Sequence, residues 1–253
     1  MKQTFSGHRR PLIMAMIAAE EPGSAIPIIR NSIYSGAESF GIELEAMDGR
    51  YKTEENYRWL FDCAEERPIY VTNYRTKKNS GKRDDELAEG LLLARKAGAT
   101  LCDVMGDLYD PAPLELTYQP QAVDRQKRLI EKIHAMGGEV LISSHTKKFL
   151  EAEKVLEMLL EQEARGADVA KIVTRADSEE ELQQNMETML LLKRKLRIPF
   201  IFLSNGRYCK LQRTLGSLYC APFLLCVPQY TALSSQEQPL LGAVQRIVSN
   251  IEW

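Results

Sequence analysis

None of the short patterns that usually declare an enzyme class occurs in these 253 residues. There is no glycine-rich GxGxxG turn, Walker loop, HExxH pair or GxSxG elbow, which excludes the ready-made nucleotide, zinc-protease and serine-hydrolase readings. Only three histidines are present, and no His, Asp or Glu cluster has metal-ligand spacing. Five cysteines without a CxxC step give neither a disulfide framework nor a zinc pattern, so reduced thiols are expected. A formal net charge of −2 offers no basic field, and His8-Arg9-Arg10 and Lys77-Lys78 are too short to create one, so a nucleic-acid partner is not expected. No apolar run approaches the ~20 residues of a membrane span. The run 12–19 behind Arg9 and Arg10 imitates a signal peptide, but it is only eight residues long and Pro11 opens it as it would a strand. A cytoplasmic enzyme is the expectation.

What the chain does have is alternation. Short apolar runs at 12–18, 40–45, 69–74, 101–104, 139–143, 168–173, 200–203 and 222–227 read as strands. Amphipathic stretches lie between them: 84–97 ending at Gly98, 123–136 ending at Gly137-Gly138, and 148–165 ending at Gly166. A helix capped by Ser178 with Glu181 at N3 runs to about Lys195, and a last one starts near Pro239. Strict β-then-α order demands parallel strands, and eight such units in ~250 residues predict a (β/α)8 barrel. An open doubly wound sheet would carry a glycine-rich turn after its first strand, where this chain has Glu20-Glu21-Pro22-Gly23. With no repeat or linker, one domain over 1–253 is expected.

In a barrel, chemistry belongs to the C-terminal ends of the strands. Lys171 lies inside the sixth apolar run, where a charge costs several kcal/mol unless it is paired or neutral. It is either a desolvated amine able to form an imine or a structural lysine paired with a carboxylate. His145 follows the fifth strand, where a general acid/base should stand. Arg75, ending the third strand, and Arg213, after the seventh, suit a substrate carboxylate. Glu43, Glu45 and Asp48, at the end of the second, are candidate hydroxyl-binding or arginine-orienting acids.

With Val71-Thr72-Asn73-Tyr74-Arg75, Ile142-Ser143-Ser144-His145 and the Gly166–Ile172 segment in that order, the chain resembles the type I 3-dehydroquinate dehydratases. The resemblance implies a Schiff base on Lys171, with His145 removing the neighbouring proton and later protonating the departing hydroxyl. It also implies that Arg213 holds the carboxylate, with Ser234 and Gln238 in a closing loop where Gln236 competes with Gln238. No cofactor or metal is implied. The expected partner is a small keto acid, and the expected assembly a homodimer. Several positions depart from the family pattern. Asn79 stands where the family has the histidine's glutamate, Glu45 falls where the second strand carries arginine, and Met105 ends Asp103-Val104-Met105. Those departures keep open another Schiff-base lyase or aldolase on a related keto acid, or a barrel that binds a metabolite without catalysis.

Overall fold

The computed structural model describes residues 4, 5 and 7–253, and in them eight strands and eight α-helices alternate. In chain order they are β1 (Leu12–Ile17), α1 (Pro22–Tyr34), β2 (Ser39–Glu43), α2 (Glu54–Asp62), β3 (Ile69–Thr72) and α3 (Asp84–Ala97). There follow β4 (Leu101–Met105), α4 (Pro120–Ala135), β5 (Glu139–His145), α5 (Ala152–Ala164) and β6 (Val169–Arg175). The chain ends with α6 (Glu179–Lys195), β7 (Phe200–Asn205), α7 (Cys209–Cys220), β8 (Phe223–Cys226) and α8 (Leu241–Val248). Every ladder is parallel, and the strand order β7-β6-β5-β4-β3-β2-β1-β8 curls the sheet into the expected barrel.

Period-two alternation divides each strand between two cores. Met14, Tyr70, Leu101, Leu141, Val169 and Ile201 meet inside the sheet. Their neighbours Ile13, Ala15, Val71, Cys102 and Val140 pack outward under the helices. Among the described residues no ladder joins β7 to β8; Ile201 and Leu203 instead share the inner cluster with Phe223 and Leu225. At the N-terminal end, Phe5 lies 4.9 Å from the Phe223 ring and its N–H donates to Glu139 Oε2 at 3.2 Å. That end is plugged, which leaves the opposite mouth for chemistry.

Strand ends differ from expectation by a residue or two, and those residues matter. β2 stops at Glu43 because Leu44–Ala46 winds into a 3-10 turn. β3 stops at Thr72, whereas β5 continues to His145, making the histidine a strand residue. α1, with Pro27 inside it, α2, and α7, which carries Arg213, are helices the apolar pattern left unassigned. α3 has its expected bounds and ends at Gly98, whose φ of +116° only glycine adopts without strain. At α6 the expected capping box is formed: Ser178 Oγ accepts from the Glu181 N–H at 3.2 Å, and Glu181 reaches back to the Ser178 N–H. Ser178→Ala removes that cap, a loss of about 1 kcal/mol. Thermal unfolding should then fall by about 2–4 °C in a chain of this size. An unchanged midpoint would mean that water replaces the cap at no cost.

Candidate active site

The strand ends surround a cavity of about 450 Å³ at the C-terminal mouth. Lys171, His145, Arg213, Glu43, Glu45, Ser234 and Gln238 all line it. Seven of the eight expected catalytic and substrate-binding residues therefore meet in one place; Arg75 does not.

Lys171 is 4% exposed, and its three N–H bonds are all engaged. They go to Tyr74 Oη at 2.9 Å, Tyr70 Oη at 3.0 Å and Asp103 Oδ2 at 3.3 Å. Asp103 in turn accepts from both phenols and from Ser143 Oγ at 2.5 Å. The cluster closes electrostatically, because a buried ammonium and a buried carboxylate each find full hydrogen bonding. Burial and the adjoining Asp103 carboxylate push both phenols well above their ordinary range, so neither ionises. Both readings of Lys171 capture part of this arrangement: the amine is paired with a carboxylate, and it also faces the cavity.

His145 is organised by a residue that the sequence did not single out. Glu115, in the loop between β4 and α4, accepts from the His145 backbone N–H at 2.9 Å and from Nδ1 at 2.8 Å. That contact assigns the proton to Nδ1 and leaves the Nε2 lone pair for other work. Burial raises the Glu115 carboxyl, but its bonds to His145 outweigh burial and hold it below the usual range. The loop is locked by Gly106, where a Cβ would fall 2.6 Å from the Glu115 carbonyl oxygen. Glu115 sits at φ +50° in a stretch without periodicity, so no pattern pointed to it. Asn79 has a different task from the one the resemblance implied. It is buried, accepts from Lys52 Nζ at 2.6 Å, and donates to Asn73 Oδ1 and the Tyr74 carbonyl. It braces the loop after β3 and does not stand in for a lost partner of the histidine.

Arg213 is 6% exposed on α7, held by the Ser204 carbonyl at 2.8 Å and Asn205 Oδ1 at 2.7 Å. Among the described residues no carboxylate is hydrogen-bonded to it; burial lowers its guanidinium to about 10, with the nearby Glu237 carboxylate opposing that fall, which leaves it charged at neutral pH. The loop after β8 brings Ser234 and Gln238 beside it in the lining. Gln238 is buried with Oε1 unpartnered among the described residues. Gln236 instead donates to the Thr231 and Ser234 carbonyls of its own loop and lies outside the lining, which separates the two glutamines.

Arg75 corrects an expectation. Tyr70, Thr72 and Tyr74 share the inward phase, so Arg75 falls one residue out of step. Its guanidinium binds Asp84 at 2.7 and 2.8 Å, Asp107 Oδ1 at 2.7 Å and the Asp107 carbonyl at 2.8 Å. It is a strut between α3 and the loop after β4. Asp48 also lies outside the cavity, paired with Lys78 at 3.0 Å. On the cavity wall Glu43 pairs with Lys77, which also donates to the Leu233 carbonyl at 3.0 Å. Glu45 is buried and accepts from Thr72 Oγ1 at 3.0 Å.

Fold and cavity together define an α/β barrel whose working residues stand at the strand ends. A model of the type I 3-dehydroquinase family matches residues 44–241, and the chain belongs to that family. A 3-dehydroquinate dehydratase of Aromatoleum aromaticum is 23% identical over 180 residues, 67% of this chain. The match spans 62% of that relative's length. The 3-dehydroquinate dehydratase structure from Geobacillus kaustophilus superimposes with a TM-score of 0.78 at 18% identity, covering 96% of this chain and 91% of the other. That from Enterococcus faecalis gives 0.77 at 16%, covering 98% and 96%. At such identities the structures speak for the fold.

Burial, with Glu43 nearby, raises the Glu45 carboxyl from 4.5 to about 7. A carboxyl raised on folding opposes stability once it ionises, so its contribution is intact below 4.5 and is lost as pH rises through about 7. Glu45→Gln should therefore narrow the difference in unfolding free energy between pH 5 and pH 8, measured by urea titration. An equal difference in both proteins would show that Glu45 does not titrate in that window.

Proposed function

We propose that this protein dehydrates 3-dehydroquinate to 3-dehydroshikimate through an imine on Lys171. The observation that carries the reading is one cavity presenting a strand-six lysine, a histidine with an acid partner, and a buried guanidinium held by neutral oxygens. Membership of the type I 3-dehydroquinase family supports the same assignment. Arg213, with Ser234 and Gln238, forms the carboxylate end, and Lys171 meets the ketone. Loss of water between amine and carbonyl gives the iminium, whose electron demand acidifies the adjacent C–H. His145 Nε2 takes that proton, and the electron pair passes through an enamine to expel the β-hydroxyl. The same nitrogen returns the proton to the departing oxygen. Water then hydrolyses the imine, so the net change is the loss of one water from the substrate. Glu115 steadies the imidazolium that forms in between.

A second reading keeps Lys171 and His145 but changes the substrate: another lyase or aldolase acting on a related keto acid. The acids Glu43 and Glu45 in the wall favour it, because they present acceptors to substrate hydroxyls. Five cysteines outside any disulfide are in keeping with a cytoplasmic enzyme, and we read the chain as one domain that assembles as a homodimer.

Borohydride reduction with 3-dehydroquinate, followed by intact mass, tests the assignment. The wild type should gain a covalent adduct, and Lys171→Met should gain none while losing turnover. His145→Ala should still form the adduct and accumulate it, because the acid/base steps lose their catalyst by ~10²–10⁴-fold. Normal turnover in Lys171→Met would remove the imine route, and normal turnover in His145→Ala would remove the histidine from it.

Arg213→Ala should act chiefly on KM. A charge-assisted hydrogen bond is worth about 1.5–3 kcal/mol, so a rise on the order of 10–100-fold is expected. An unchanged KM would place the substrate carboxylate elsewhere.

A further inference from the structure

The reaction above begins with a difficulty that the geometry makes explicit. A lysine whose three N–H bonds reach Tyr70, Tyr74 and Asp103 has no lone pair with which to attack a carbonyl. One proton must leave before the attack, and one must reach the carbonyl oxygen before it can depart as water. His145 does not hold the amine. Its Nδ1 is committed to Glu115, and among the described residues it makes no hydrogen bond to Lys171.

Tyr74 is differently situated. Its hydroxyl accepts from Lys171 Nζ at 2.9 Å and donates to Asp103 Oδ2 at 2.5 Å, so it is a one-atom bridge from amine to carboxylate. Its ring stands edge-on to the His145 imidazole, centroids 5.2 Å apart, and lines the cavity. Tyr70 makes the same two bonds and also lines the cavity, but it is fully buried, whereas Tyr74 is half-buried. Of the two phenols, Tyr74 is the more accessible from the cavity.

We propose that Tyr74, backed by Asp103, is a catalytic residue of imine formation that shuttles the proton between Lys171 and the substrate's carbonyl oxygen. As the Nζ proton moves to Tyr74 Oη, the phenol's own proton moves to Asp103 Oδ2, leaving a neutral amine and a protonated Asp103. The amine lone pair attacks the carbonyl carbon, and an N–H proton passes to the alkoxide to give the carbinolamine. The proton held on Asp103 returns through Tyr74 to the carbinolamine hydroxyl. The C–O bond breaks, water leaves, and the nitrogen lone pair closes the C=N bond. Ammonium, carboxylate and ketone have become iminium, carboxylate and water, with no proton unaccounted for. Because its phenol resists ionisation, Tyr74 passes the proton on without resting as a phenolate.

This inference rests on the imine reading, and the test separates the two. Wild type and Tyr74→Phe are mixed with 3-dehydroquinate, quenched with borohydride at successive times and weighed. Phenylalanine keeps the ring against His145 and removes only the hydroxyl. Adduct formation should slow on the order of 10²-fold, the usual worth of a positioned acid/base. Conversion of imine already formed, followed in a single turnover, should change far less. The variant would thus show little adduct, opposite to the accumulation expected for His145→Ala. A merely structural tyrosine would slow both stages together, and that result overturns the relay. Equal adduct rates in the two proteins also overturn it while leaving the dehydratase reading in place. No adduct in the wild type overturns both. Should Tyr74→Phe fail to fold, the wild-type adduct rate in D₂O decides: a slower rate upholds the relay, and an unchanged one sinks it.

Discussion

The buried pair of Lys171 and Asp103 governs the rest of this site. An ammonium and a carboxylate, each almost sealed from water, are tolerable only with every hydrogen bond made, and removing one partner of such a pair typically costs about 3–5 kcal/mol. The inward faces of β3, β4, β5 and β6 all answer to that demand. β3 supplies Tyr70 and the segment just after it Tyr74, β5 supplies Ser143, and β4 and β6 supply the charges themselves. Side chains that satisfy the pair cannot also be apolar filling, so a polar cluster enters the barrel interior beside Met14, Leu101, Leu141 and Ile201.

The parts of this arrangement legible in the sequence are those where local pattern and placement agree. A charge inside an apolar strand marks its face as special, and that identified Lys171. The same test applies to Asp103 within Leu101-Cys102-Asp103-Val104, where it was noted only as a departure from a family pattern. Period two also places Tyr70, Thr72 and Tyr74 on one face. Counting that phase through the strand end excludes Arg75, which looked attractive only because guanidinium groups suit carboxylates. Glu115 was out of reach for a physical reason. A loop residue at positive φ owes its place to long-range packing against Gly106 and Ser144, and nothing within its neighbours' periodicity encodes that.

Family membership and residue chemistry meet unevenly around the cavity. The lysine, the histidine and the α7 arginine stand in the order that the resemblance implied, yet their supports have been rebuilt. The histidine's acid arrives from the loop after β4, and Asn79 has become a brace between Lys52, Asn73 and the Tyr74 backbone. Such supports set geometry and proton location, whereas the reacting groups set the type of reaction. A chain can exchange the former and keep the latter, provided each new support satisfies the same hydrogen-bonding atom.

The unpaired edge between β7 and β8 has a consequence for Arg213. Along β7, the Asn205 carbonyl is taken by the Ala176 N–H on the β6 side. Ser204 is one residue out of phase, so its carbonyl turns the other way, toward the flank where a closed hoop would place a β8 donor. In this sheet that oxygen is spare. It is the oxygen that receives Arg213 Nε at 2.8 Å. An acceptor left over by incomplete strand pairing thus anchors the guanidinium, fixing its plane through neutral oxygens, with the Ser204 carbonyl and Asn205 Oδ1 as its partners.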